Sequence, residues 1–295
     1  MSPPEPRAVS DSGPLLEVHR DVTAAAIRLR TTEWSTQPGN PQVEAIVALP
    51  GAFAPRASFR ALAQHLGQRF RLIAVDFPGF GESEKPSPQR YPYGPSAFAE
   101  ATMDLLAGLG LPRAHLLGHG LGGAVALHLS ARHPELVRRV ALVAPLGAPG
   151  PRPAASVFVA PLLGGLVFRQ VIGRQLFIRL YLKNVQPTAS PEALALAYES
   201  FNPPAARAAA LATLRAAADR RPIIADCRRV RAPALIVWGR QDRVYDVERG
   251  RLLSREMPRA GLEILETGHA VHEEAPQVLA PILERFFSGL RAGAQ

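Results

Sequence analysis

Ala114-His-Leu-Leu-Gly-His-Gly-Leu-Gly-Gly-Ala-Val-Ala-Leu-His128 decides the fold of this chain. The apolar run Ala114 to Leu117 reads as a buried strand, Gly118 to Gly123 as a sharp turn, and Leu121 to Arg132 as a helix. A strand, a glycine turn and a helix in that order match the G-x-S-x-G elbow that presents a nucleophile, with Gly118 and Gly122 at its ends. The centre of the pattern is Gly120, which has no side chain with which to attack.

Working outward, short β-rich runs alternate with helical patterns on both sides. Leu15 to His19 and Ala26 to Glu33 are antiparallel opening strands, the second alternating Ile27 and Leu29 against Arg28 and Arg30. Gln37-Pro-Gly-Asn-Pro41 is a turn. Strands follow at Ala45 to Leu49, Phe70 to Val75 and Val137 to Val143, with helices at Ser58 to Leu66 and Ser96 to Leu109. Continuous apolar strands each followed by a helix indicate a doubly wound, mostly parallel sheet covered on both faces, an α/β class chain.

The alternation stops after Pro145. Residues 147–230 read as an irregular helical insertion broken by prolines, with no convincing strand. Strand and helix then resume: Ala234 to Trp238, helix Val247 to Glu256, Leu262 to Leu265 and a final helix Pro276 to Leu290. The expected organisation is a tail over 1–13, a core from 14–146 and 231–291, and a helical lid (cap) over 147–230 above the carboxyl edge of the sheet.

Composition narrows the partners. The formal charge is +9, but of the 34 Lys and Arg residues only Lys85 and Lys183 are lysines, leaving 32 arginines scattered along the chain. That dispersal, in a chain rich in Ala and Pro, argues against a nucleic-acid partner. Cys227 is the single cysteine and reads as a small core residue, so no intrachain disulfide forms and a reducing, cytoplasmic location is expected. No apolar segment precedes the first strand to act as a secretory signal, and Val157 to Phe168, the most apolar run, is cut by Pro161 and Gly164-Gly165 and is too short to span a bilayer. No cofactor and no metal are expected: no G-x-G-x-x-G opens a helix after the first parallel strand, and no His, Cys and Asp residues stand at metal-ligand spacing.

Three further segments share an order with the turn. Val237-Trp-Gly-Arg-Gln-Asp242 places an aspartate just beyond a strand, and Glu266-Thr-Gly-His269 a histidine just beyond the next. With Leu49-Pro-Gly-Ala-Phe53 and Asp76-Phe-Pro-Gly-Phe-Gly-Glu-Ser-Glu-Lys-Pro86, the chain from Ala45 to Leu290 resembles the α/β-hydrolase fold family, in particular its lidded esterase and carbon-carbon hydrolase branch. The resemblance implies that Asp242 orients His269 and that His269 is the general base. It also implies an oxyanion hole of backbone N–H groups, one from Leu121 and one from Ala52 or Phe53. Pro50 stands where many relatives carry histidine, a departure that leaves those donors in place. Asp246 and Asp226 are alternative acids by type. His119, His128 and Ser83 are nucleophile candidates of lower standing, the two histidines at positions that are usually structural and the serine in a turn.

Three functional readings stay open. The protein acts on a small apolar molecule without an acyl intermediate, His269 and Asp242 activating a water or taking a proton from substrate directly. Or it is a pseudo-hydrolase that binds a small molecule or a partner protein. Or Gly120 is an introduced Ser→Gly change in a serine esterase. The apolar lid residues, Val157 to Leu182 with Arg169, Arg174 and Arg179, pack on the core, line a channel for aryl or medium acyl groups, or touch a membrane surface.

Overall fold

Two long strands open the fold as an antiparallel pair, β1 (Leu16–Ala24) and β2 (Ile27–Ser35), in register from Leu16 opposite Ser35 to Ala24 opposite Ile27. The computed structural model describes residues 13–24, 26–149, 172–219, 221–257 and 259–290. β3 (Ala45–Leu49), β4 (Arg71–Val75), β5 (Ala114–His119), β6 (Val137–Val143), β7 (Ala234–Gly239) and β8 (Ala260–Leu265) complete an eight-stranded sheet of order β1-β2-β4-β3-β5-β6-β7-β8. β2 runs antiparallel to β4; every later pairing is parallel. This is the doubly wound, mostly parallel sheet that the alternating pattern anticipates.

The two-residue period of a strand sends neighbouring side chains to opposite faces. Val47 and Leu49 of β3 enter one core with Phe98, Leu105, Val125 and Ile236, whereas Ile46 and Ala48 enter the other with Phe59, Leu62, Leu279 and Leu283. Helices α1 (Arg60–Leu66) and α10 (Pro276–Phe287) cover the second face; α2 (Pro95–Gly108) and α3 (Leu121–Arg132) cover the first. Burial on both faces explains why the central strands are apolar throughout rather than alternating.

The expected helix at 58–66 is divided into a 3-10 turn at Arg56–Phe59 and α1. Pro55, with φ −74°, starts the turn, and the Arg56 N–H is taken by Asp76 Oδ1 at 2.6 Å rather than by a helical carbonyl. The final helix ends at Phe287, three residues early, because Gly289 turns the chain at φ +74°.

Between β6 and β7 the described residues form helices only: α4 (Arg174–Asn184), α5 (Pro191–Phe201), α6 (Pro204–Ala216) and α7 (Arg221–Cys227). Phe177, Phe201, Ala209, Leu211 and Ile223 from them are buried with the α2–α3 face of the core. Most of the apolar run Val157 to Leu182, and the tail up to residue 12, lie outside the described residues. α8 (Glu248–Glu256) and the short α9 (Val271–Glu274) follow β7 and β8. No helix among the described residues is long and apolar enough to cross a membrane.

Parallel strands end together. The loops after β3, β5, β7 and β8 therefore meet at one carboxyl edge, where open α/β sheets place their ligands.

Candidate active site

Gly120 links β5 to α3 with φ 51° and ψ −112°, a conformation that residues bearing a Cβ rarely adopt. Its N–H donates to Val143 O at 3.0 Å, and its carbonyl accepts from Leu146 N at 2.7 Å and Ala124 N at 3.2 Å, so neighbouring elements fix the turn. The flanking glycines answer to close packing. A Cβ on Gly118 would run into the backbone of Gly122, and one on Gly122 into the carbonyl of Leu49. Gly122 N–H donates to Pro50 O at 2.9 Å and ties the loop after β3 to the start of α3.

His269 stands opposite this turn. A Cβ built on Gly120 would lie 3.8 Å from His269 Nε2 and 3.5 Å from Gly51 Cα, which is ordinary contact. His269 Nδ1 is 2.8 Å from Asp242 Oδ2. The other carboxylate oxygen, Oδ1, accepts from the N–H groups of Val244 at 2.7 Å and Tyr245 at 2.8 Å, and the Asp242 side chain is fully buried. An ionised carboxylate only accepts, so the proton is assigned to Nδ1 and Nε2 is left with its lone pair toward Gly120.

The loop carrying His269 is held from both sides. Glu274 accepts from Gly268 N at 2.8 Å and Ala270 N at 3.2 Å, so one carboxylate brackets the histidine. Ala52 and Phe53 flank Gly51 on the β3 loop, Phe53 with φ +69°, and Leu121 opens α3, where a backbone N–H has no intrahelical acceptor. The structure thus brings Gly120, His269 and Asp242 together, with the backbone of Ala52, Phe53 and Leu121 on the same edge.

The remaining candidates have other partners. Ser83 donates to Asp76 O at 2.6 Å and accepts from Arg30 N at 2.8 Å, a turn-holding role beside the buried Asp76–Arg56 ion pair. Asp246 accepts from Glu248 N at 2.8 Å at the start of α8. His128 Nδ1 lies 2.6 Å from Asp226 Oδ2, away from Gly120. Cys227 is buried, and burial pushes its thiol up to about 12.

His272, Glu273 and Glu274, which sequence reading passed over, gather with the lower-standing candidate His119 around His269. His119 and His269 have ring centroids 4.7 Å apart, His119 and His272 4.6 Å, and His119 Nε2 lies 3.2 Å from the His269 carbonyl. Burial, then the adjoining histidines His272 and His269, hold His119 well below the ordinary histidine range. Burial and the charge of His269 lower His272 to about 3. His272 Nε2 is 3.7 Å from Glu273 Oε1, and burial with the neighbouring Glu274 raises Glu273 to about 8. The signal for these residues was local and easily read as a helix start: His269-Ala-Val-His-Glu-Glu-Ala-Pro276 packs four titratable groups into six residues. Among the described residues no set of three His, Cys, Asp or Glu side chains is placed to hold a metal ion.

The profile described as alpha/beta hydrolase fold matches residues 44–276. An uncharacterized protein of Mycobacterium tuberculosis is 32% identical over 261 residues, covering 82% of this chain and 74% of that protein. A 2-hydroxymuconate semialdehyde hydrolase of Pseudomonas putida is 26% identical over 284 residues, covering 92% and 95%. Among solved structures, the 2-hydroxy-6-oxo-6-phenylhexa-2,4-dienoate hydrolase from Rhodococcus sp. strain RHA1 superimposes with a TM-score of 0.79 at 24% identity, covering 93% of this chain and 100% of that one, a likeness of fold.

Proposed function

Because the chain belongs to the alpha/beta hydrolase fold family, we propose that it hydrolyses an ester or carbon-carbon bond of a small apolar molecule by direct attack of water. The observation that carries this reading is the 3.8 Å between His269 Nε2 and the Cβ position of Gly120. Where a nucleophile's side chain would stand, the notch takes a water within reach of the imidazole. His269 draws a proton from that water while the oxygen adds to the substrate carbonyl, and Asp242 stabilises the resulting imidazolium. The carbonyl oxygen gathers negative charge against the N–H of Leu121 and that of Ala52 or Phe53. His269 then gives its proton to the departing group, which restores the neutral imidazole. Helices α4–α7 act as the lid that excludes bulk water.

No cofactor enters this scheme. The relative from Pseudomonas putida, by its name a 2-hydroxymuconate semialdehyde hydrolase, supports trying that compound beside aryl and medium acyl esters. On such a panel the parent protein turns over at least one substrate, and His269→Ala lowers its rate by about 10² to 10⁴, the usual contribution of a general base. Unchanged turnover in His269→Ala overturns the proposal.

Gly120 itself favours a second reading, a binding protein that has shed its nucleophile. Gly120→Ser separates the cases. Activity and fluorophosphonate labelling confined to that variant mean an intact scaffold without turnover of its own, by natural loss or by an introduced change; activity in the parent that depends on His269 means the dyad works on water.

A further inference from the structure

We infer that a second binding site, for a small multivalent oxyanion such as a di- or polyphosphate or a tricarboxylate, lies at the amino edge of the sheet. There a groove with a cavity volume of about 760 Å³ opens between the end of α3, the segment after α7, the end of α8 and the first residues of β7 and β8. It is on the far side of the strands from Gly120, which follows the carboxyl end of β5.

Five guanidinium-bearing residues line it: Arg132, Arg228, Arg229, Arg231 and Arg259, all exposed. Against them the lining holds one carboxylate, Glu256, which Arg228 Nε meets at 2.7 Å. Arg132 leans on the buried Asp226 at 3.3 Å. Among the described residues no carboxylate lies within ion-pair distance of Arg229, Arg231 or Arg259, so three of the arginines that line this one concavity have no ion-pair partner. Like charges converging on a concave wall raise the local potential and concentrate anions there. Planar guanidinium forks match phosphate and carboxylate oxygens two at a time, which selects an oxyanion over a halide. The volume is that of a small-molecule site rather than a flat docking face.

Titration calorimetry of the full chain with inorganic pyrophosphate, and separately with citrate, at low ionic strength tests this. The expected result is saturable binding of one anion per chain that weakens as salt rises, since exposed charges are screened. Comparison of the two anions tells a phosphate site from a carboxylate site. The triple variant Arg229→Ala, Arg231→Ala, Arg259→Ala should raise the dissociation constant at least tenfold. A control triple, Arg90→Ala, Arg174→Ala, Arg179→Ala, removes the same formal charge elsewhere and should leave it within about twofold. Thermal melts check that both variants fold; because the substituted side chains are exposed, both should melt near the parent. Equal weakening in the two triples, more than one weak site per chain, or no saturable binding of either anion overturns the inference. Retained turnover on the ester panel in the groove triple would show that this site is independent of the dyad.

Discussion

Two buried aspartates in this molecule each hold the Nδ1 of a histidine, and they are built differently. Asp242 meets His269 at 2.8 Å and Asp226 meets His128 at 2.6 Å, and both carboxylates are fully buried. Around Asp242 the other oxygen is satisfied by two backbone N–H groups, and the far nitrogen of the histidine looks at the open backbone of Gly120. Around Asp226 the other oxygen faces the Arg132 guanidinium, and the pair fastens α3 to α7. The comparison teaches that an Asp–His pair is not in itself a catalytic signature. One pair leaves its outer nitrogen toward the backbone of Gly120; the other joins two helices.

The strongest way to break this contrast is to neutralise each aspartate in turn. Asp242→Asn reverses the hydrogen bond to Nδ1 and so misplaces the imidazole proton, which in a serine triad costs about 10⁴ in rate. A loss of about 10² to 10⁴ in kcat/KM is expected, the melting temperature moving little because the two backbone donors still find an oxygen. Asp226→Asn should keep kcat/KM within about twofold. Parallel losses in both variants would show that the two pairs do not differ in function.

Stability should show the reverse order. His128→Ala leaves the buried Asp226 with Arg132 as its remaining side-chain partner, and a buried acceptor oxygen that loses its hydrogen bond costs up to about 3 kcal/mol. Denaturant unfolding checks this, with turnover retained. At Gly120 the effect is smaller. Gly120→Ala adds a Cβ that meets only ordinary contacts, so the whole cost is that of holding an alanine at φ 51° and ψ −112°, about 1–3 kcal/mol. A neutral result there would mean the turn relaxes.

How much of this was legible beforehand follows from the range of the interactions. β5, Gly120 and α3 are contiguous, and the glycines at 118 and 122 are required by packing within the same few residues, so the turn could be read directly. The parallel core was equally open to reading, because two-sided burial leaves uninterrupted apolar strands. The resemblance picks out Asp242, but residue type alone leaves Asp226 and Asp246 as alternatives. Asp226 closes the long insertion while Asp242 and Asp246 follow it, and only the folded loops show that Asp246 accepts from Glu248 N at the start of α8 and that Asp226 is taken by His128. The groove of arginines was hidden for the same reason. Arg132 and Arg259 are far apart in sequence, and in a chain with arginines throughout, their convergence leaves no local mark.

The weakest contrast concerns a third histidine and carboxylate, His272 and Glu273, whose nearest atoms are 3.7 Å apart. They are not a charged pair. Burial lowers His272 to about 3 and raises Glu273 to about 8, so both are neutral near pH 7. Glu273, raised above its ordinary 4.5, contributes stability that is present below that value and lost as pH rises toward about 8. His272, depressed below its ordinary 6.5, contributes stability present above that value and lost as pH falls toward about 3, and the lowered His119 acts in the same direction. Between about pH 4.5 and 6.5 the two histidines outweigh the one glutamate; between about 6.5 and 8 the glutamate acts alone among these three groups. Each unmatched proton is worth at most about 1.4 kcal/mol per pH unit. Melting temperature should therefore peak near pH 6.5 and decline on the alkaline side by about 3 °C per unit. Glu273→Gln, neutral at every pH, should flatten the alkaline limb and leave the acid limb, whereas His272→Phe should weaken the acid limb alone. An alkaline slope unchanged in Glu273→Gln would place its origin elsewhere and would remove the difference drawn between His272–Glu273 and the structural pair His128–Asp226.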